Sequence, residues 1–162
     1  MKIIGKGSFT TAYFNETTGQ VLLKSRDKVK AAMSEGFFPD HKIFPKIKFV
    51  SIGDGVTYYE MKYYKKYSSL KNNLTSRQWE FYKLLRTLNH SLGYANIYRD
   101  FETKIPNKFQ KEREALLEAL NGLSNYGTDI AFEISPRNVA IEDKKLILLD
   151  CFFFQSCLFT LI

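Results

Sequence analysis

Cysteine is scarce in this chain: Cys151 and Cys157 are the two among 162 residues. Two thiols make no disulfide framework for a domain of this size, so buried free thiols in a reducing compartment are expected. No zinc-finger spacing and no other named nucleic-acid module is visible. Repeats and low-complexity segments are absent as well. So is an apolar run of membrane-spanning length. The most apolar stretch, LILLDCFFFQSCLFTLI, contains Asp150. It falls short of the roughly 18–20 uninterrupted apolar residues that a spanning helix needs. A buried strand with an apolar docking tail is expected there, and no membrane partner. The opening MKIIGKGSFTTAYF meets a Gly-rich polar stretch after four residues, which does not read as a signal peptide.

What is present suits an ordered globular domain. Hydrophobic residues make up 44% and aromatic residues 15%, enough for a packed core. The length fits one domain or two small lobes. Bases outnumber acids, giving a net charge of +7. That excess admits a nucleotide phosphate, an acidic protein or nucleic acid as partner. Its densest part is Lys42, Lys46, Lys48, Lys62, Lys65, Lys66 and Lys71. A solvated face is the first reading of these lysines, and a nucleic-acid surface the second.

The first half reads as strands. Lys2–Ile4, Thr11–Asn15 and Val21–Lys24 are short runs separated by a glycine loop and the turn ETTGQ. Asp27 is placed to cap a short helix running to about Ser34, which Gly36 stops. Ile43–Ile52 reads as extended, Gly53–Gly55 as a turn and Val56–Met61 as a strand. The second half turns helical. Ser76 is expected to cap a helix with Phe81, Leu84, Leu85, Leu88 and Leu92 on its apolar face. Pro106 is expected to open another, with Leu116, Leu117, Leu120 and Leu123 on one face. Val139–Ile141 and Leu146–Leu149 form a hairpin around the polar turn Glu142–Lys145. Strands followed by helices argue for an α+β fold rather than alternating βαβ units.

Three sites carry chemistry. In GKGSFTTAYF, Gly5 and Gly7 have no side chains to hold phosphate oxygens away from backbone N–H groups. Lys24 ends the apolar run VLLK, where a point charge suits the α- and β-phosphates of a nucleotide. In EISPRNVAIEDKKLILLD, Asn138 and Asp150 flank the hairpin, and their oxygens are hard ligands for Mg²⁺. Glu133, five residues before Asn138, is suited to accept a proton from an attacking hydroxyl. Asp150 stands among apolar neighbours, where burial without a partner costs several kcal/mol.

The order of these sites resembles that of the protein kinases: Gly-rich loop, strand lysine, hinge, helices, acid-x4-Asn, hairpin, Asp. In detail the chain resembles the early serine/threonine protein kinases of podovirus bacteriophages, with the loop pattern GxGxFxxAY at Gly5–Tyr13. The resemblance implies a strand-rich lobe and hinge over residues 1–64 and a reduced helical lobe over 65–162. It implies that Gly5, Lys6, Gly7, Ser8, Phe9, Thr10 and Ala12 contact the nucleotide. It implies Tyr59 as gatekeeper, with Glu60, Met61 and Lys62 offering backbone groups to adenine. Lys24 would hold the phosphates, paired with Glu35. Glu133 would orient the substrate hydroxyl, and Asn138 and Asp150 would bind Mg²⁺. The implied cofactors are ATP and Mg²⁺, the partner a host protein, and the place the host cytoplasm. The departures are AFE in place of H-R-D, so that Glu133 stands for the catalytic aspartate, and DCF in place of D-F-G. Twelve residues follow Asp150, too few for an activation loop and the later helices. Two other readings compete: a pseudokinase that inhibits a host protein by binding, and a small-molecule phosphotransferase, which normally needs a large helical lobe.

Overall fold

The computed structural model describes residues 1–89 and 91–155. Cys157 and the expected docking tail lie outside the described residues. Five strands come first: β1 (Lys2–Lys6), β2 (Thr10–Asn15), β3 (Gln20–Ser25), β4 (Lys48–Gly53) and β5 (Val56–Lys62). They form one antiparallel sheet in the order β1-β2-β3-β5-β4. The β4–β5 hairpin closes on Asp54 and Gly55, both at positive φ. That is the primed two-residue turn whose twist matches the strands, and it explains the GDG sequence.

Helix α1 (Lys28–Ser34) follows β3 after two residues. Asp27 caps it as expected, its carboxylate accepting from the Val29 N–H at 2.9 Å. Helices α2 (Leu70–Asn73), α3 (Ser76–Thr87), α4 (Tyr94–Lys104) and α5 (Gln110–Leu123) form the second half. Four short strands return after them: β6 (Ile130–Phe132), β7 (Val139–Glu142), β8 (Lys145–Leu148) and β9 (Phe152–Phe154). β7 and β8 form the expected hairpin, and β6 pairs with β9. The architecture is α+β.

The sequence reading needs correction in places. Thr75, not Ser76, caps α3, its hydroxyl accepting from the Gln78 N–H at 3.2 Å. Leu92 is not on that helix, which ends at Thr87. It bridges to Ala131 and is 52% exposed. Pro106 opens a 3-10 turn at Asn107–Phe109, and α5 begins only at Gln110. Within Ile43–Ile52 the strand starts at Lys48. Ile43, Phe44 and Ile47 are instead buried in turns that dock the hairpin, with the Leu148 N–H donating to the Ile43 carbonyl at 2.7 Å.

The core runs from the sheet into the helices. Phe81 and Leu85 of α3, Phe101 of α4 and Leu116, Leu120 and Leu123 of α5 are fully buried. Phe101, Phe132 and Phe152 meet ring to ring at 5.1–6.2 Å, which joins α4 to the β6–β9 pair. Each such burial contributes about 1.5–3 kcal/mol. Arg77 clamps α3 to α5 through two bonds to Glu112, at 2.6 and 3.1 Å.

Candidate functional site

The site starts at the glycine loop. β1 extends through Gly5 and Lys6, with a bulge between Ile3 and Gly5, so the loop proper is short. The Gly7 N–H donates to the Thr10 carbonyl at 2.8 Å and closes it. Neither Gly5 nor Gly7 has positive φ, and a Cβ on either would meet its nearest atom at 3.8 or 3.7 Å, an ordinary contact. The fold itself therefore does not require glycine at these two positions. What glycine leaves open is approach from outside the loop. Phe9 and Thr10 tie the loop back to the end of β3. The Arg26 N–H donates to the Phe9 carbonyl at 3.0 Å, and the Thr10 and Ser25 hydroxyls lie 2.6 Å apart.

Strand parity decides the fate of Lys24. β2 and β3 pair Ala12 with Leu23 and Thr10 with Ser25. Val21, Leu23 and Ser25 are buried and share one face. Lys24 lies on the opposite face between Thr11 and Tyr58, exposed and without an ion pair among the described residues. On the buried face, Ser25 stands beside it instead. The Ser25 hydroxyl accepts from the Asp27 N–H at 3.0 Å.

A different lysine reaches the hairpin. Lys30, on α1, has a side chain only 6% exposed. Its Nζ donates to the Leu149 carbonyl at 2.9 Å and lies 3.7 Å from Asp150 Oδ1. Burial raises the pKa of Asp27, Lys30 draws it back down, and Asp150 pushes it up again. Glu35 is not the partner of Lys24. It caps the end of α1 and accepts a bond from the Tyr126 hydroxyl. Burial, and then that bond, push the Tyr126 hydroxyl up to about 12.

The three hairpin residues do come together, through backbone bonds. The Asn138 carbonyl accepts from the Leu149 N–H at 2.9 Å and the Asp150 N–H at 3.2 Å. The pairing of β6 with β9 continues as the Glu133 N–H donates to the Cys151 carbonyl at 2.9 Å. Glu133 is thus beside the residue that follows Asp150, with its own side chain exposed. Asp150 is not buried as expected: its side chain is 52% exposed, because it sits where the chain leaves β8 for β9. Its neighbour Cys151 is buried, and its thiol is pushed far up, by burial first and by Asp150 second. Asn89 fixes the loop from behind. Its amide accepts from the Ile134 N–H at 2.7 Å and donates to the Ile134 carbonyl at 3.0 Å.

The expected adenine edge is only partly open. Glu60, Met61 and Lys62 belong to β5, paired with Leu22, Val21 and Gln20 of β3. β4 opposes β5 only as far as Glu60, so Met61 and Lys62 have one paired side within the sheet. Lys62 is ion-paired to Glu142 of β7, which binds the sheet to the hairpin. Tyr59 is buried.

Asn138 and Asp150 offer hard oxygen donors that suit Mg²⁺, an ion commonly held by one or two carboxylates plus substrate phosphates. Among the described residues no group of three or more His, Cys, Asp or Glu is arranged to hold a metal by itself. Two surface hollows lie elsewhere. One of about 190 Å³ is lined by Met33, Phe38, His41 and Phe44, and another by Glu80, Leu84, Pro106 and Phe109. Neither includes the residues of the hairpin site. No helix among the described residues is long and apolar enough to cross a membrane. Sequence reasoning missed Lys30 and Asn89, and read Asp27 as a helix cap alone. Neither Lys30 nor Asn89 carried a local signal. No family model and no curated protein matches this chain.

Proposed function

We propose that the chain is a Mg·ATP-dependent serine/threonine protein kinase of a bacteriophage, acting on host proteins in the host cytoplasm. One observation carries the reading: backbone bonds tie Asp150 to Asn138 and tie Glu133 to Cys151, the residue after Asp150. The glycine loop supports it, since its glycines answer no need of the fold. In this reading the Gly5–Gly7 loop receives the phosphates on backbone N–H groups. Asn138 and Asp150 hold Mg²⁺, which supplies neutralisation of the charge that develops in transfer. Glu133 accepts the proton of the substrate hydroxyl and orients its oxygen. The loop that carries Glu133 is fixed through Asn89 and Cys151.

Incubation of the purified protein with γ-labelled ATP, Mg²⁺ and a bacterial lysate tests this. Labelled host protein is expected with the wild type and not with Asp150→Ala. The second reading, a pseudokinase that holds a host protein, is favoured by Lys24 lying on the face opposite buried Leu23 and Ser25, exposed and without an ion pair among the described residues. It predicts Mg·ATP-dependent thermal stabilisation without any transfer of label.

A further inference from the structure

We infer that Lys30 is the positioning cation of this site, in the place that the sequence pattern offered to Lys24. The inference rests on the kinase reading above and names a residue of that same site. Three observations carry it. Lys24 lies on the exposed face of the sheet, away from Ala12, Leu23 and Ser25. The Lys30 ammonium is buried, bonded to the Leu149 carbonyl at 2.9 Å and 3.7 Å from the Asp150 carboxylate. Lys30 also belongs to the helix that starts directly beneath the loop tie, where Ser25 meets Thr10 and the Asp27 N–H. Burying an ammonium is costly and is sustained only by close partners. Here the partners are the carbonyl before Asp150 and Asp150 itself. A buried cation so placed fixes the orientation of a carboxylate that is itself half-exposed. Lys30 thereby keeps Asp150 aimed for a divalent cation.

The test is the Mg²⁺ concentration giving half of the ATP-induced thermal shift, measured for the wild type, Lys24→Met, Lys30→Met, Lys30→Gln and Lys30→Arg. Lys30→Gln keeps a donor for the Leu149 carbonyl and removes the charge, so it reports even if Lys30→Met does not fold. The half-saturating Mg²⁺ is expected to rise about tenfold or more in Lys30→Met and Lys30→Gln, as when an outer partner of a metal ligand is lost. Lys30→Arg should recover most of the loss, and Lys24→Met should match the wild type. A merely structural lysine would lower the melting temperature without moving the Mg²⁺ dependence. Wild-type Mg²⁺ dependence in Lys30→Gln, or a shift confined to Lys24→Met, would overturn the inference alone. A wild type that does not respond to Mg·ATP at all would overturn the kinase reading and this inference together.

Discussion

Glu133 and Asp27 are two carboxylates with opposite surroundings. Glu133 is exposed beside Cys151, and in the proposed role it needs charge more than burial. Glu133→Gln is expected to cut phosphoryl transfer on the order of 10²–10⁴-fold, the span of a general base. Nucleotide affinity should barely change, and labelling assays beside calorimetry check both. Asp27 is held above its ordinary carboxylate range, by burial foremost. A carboxyl raised in the folded state contributes stability at pH below its unfolded value, and that stability is lost as pH rises through the folded value. Asparagine caps helices about as well as aspartate. Asp27→Asn is therefore expected to gain stability relative to the wild type as pH rises from acid to neutral, seen in paired melting curves. An unchanged difference between the two proteins across that range would refute this account. At this scale the sequence was legible where chemistry is local. Asp27 as a cap and the acid, amide and acid of the hairpin could be read directly. Lys24 could not, because Val21, Leu22 and Leu23 are all apolar. Alternation fixes which residues share a face, but three apolar neighbours do not say which face is inside.

Among the elements, the glycine positions separate what the fold requires from what a ligand requires. On α5, a Cβ at Gly122 would lie 2.0 Å from the Phe37 carbonyl oxygen, which the backbone cannot easily yield. Gly122→Ala should destabilise by about 1–3 kcal/mol, the usual range for overpacking. For a chain of this size that corresponds to a fall in melting temperature of roughly 3–10 °C. Gly5→Ala and Gly7→Ala meet only ordinary contacts. They should melt within about 2 °C of the wild type, as surface substitutions do, and lose Mg·ATP binding instead. Melting curves with and without nucleotide separate the two outcomes. The elements that sequence reasoning did not anticipate have physical reasons. β6 and β9 are three residues each, too short for alternation to appear. α4 buries only Ile97 and Phe101, one apolar pair a turn apart, and starts at Gly93 without a side-chain cap. Tertiary packing of Phe101 against Phe132 and Phe152, not a local pattern, holds it in place.

In the whole molecule, the acid side of the stability curve is set by carboxyls outside the proposed site. Burial alone would raise the Glu112 carboxyl, but the two bonds from Arg77 carry it below its ordinary range. Asp100 is lowered as well, first by the Ser91 hydroxyl and then by Lys104. Carboxyls depressed in this way contribute stability above their unfolded values and lose it as pH falls through the folded ones. The melting temperature should therefore drop below the ordinary carboxylate range, and less steeply in Arg77→Met, which a pH series of melting curves would show. Helix α1 has a wider consequence. Seven residues are too few to be helical alone in water, so α1 owes its order to its attachments. Asp27 fastens it to the sheet, Lys30 to the strand end at Leu149 and Asp150, and Glu35 to Tyr126 after α5. Whatever occupies Asp150 and whatever orders α1 are then linked by mass action, each strengthening the other by the same factor. Hydrogen exchange at Ala32 and Met33 should slow when Mg·ATP is added. Conversely, Tyr126→Phe, at a residue outside the proposed site, should weaken nucleotide binding by loosening the helix.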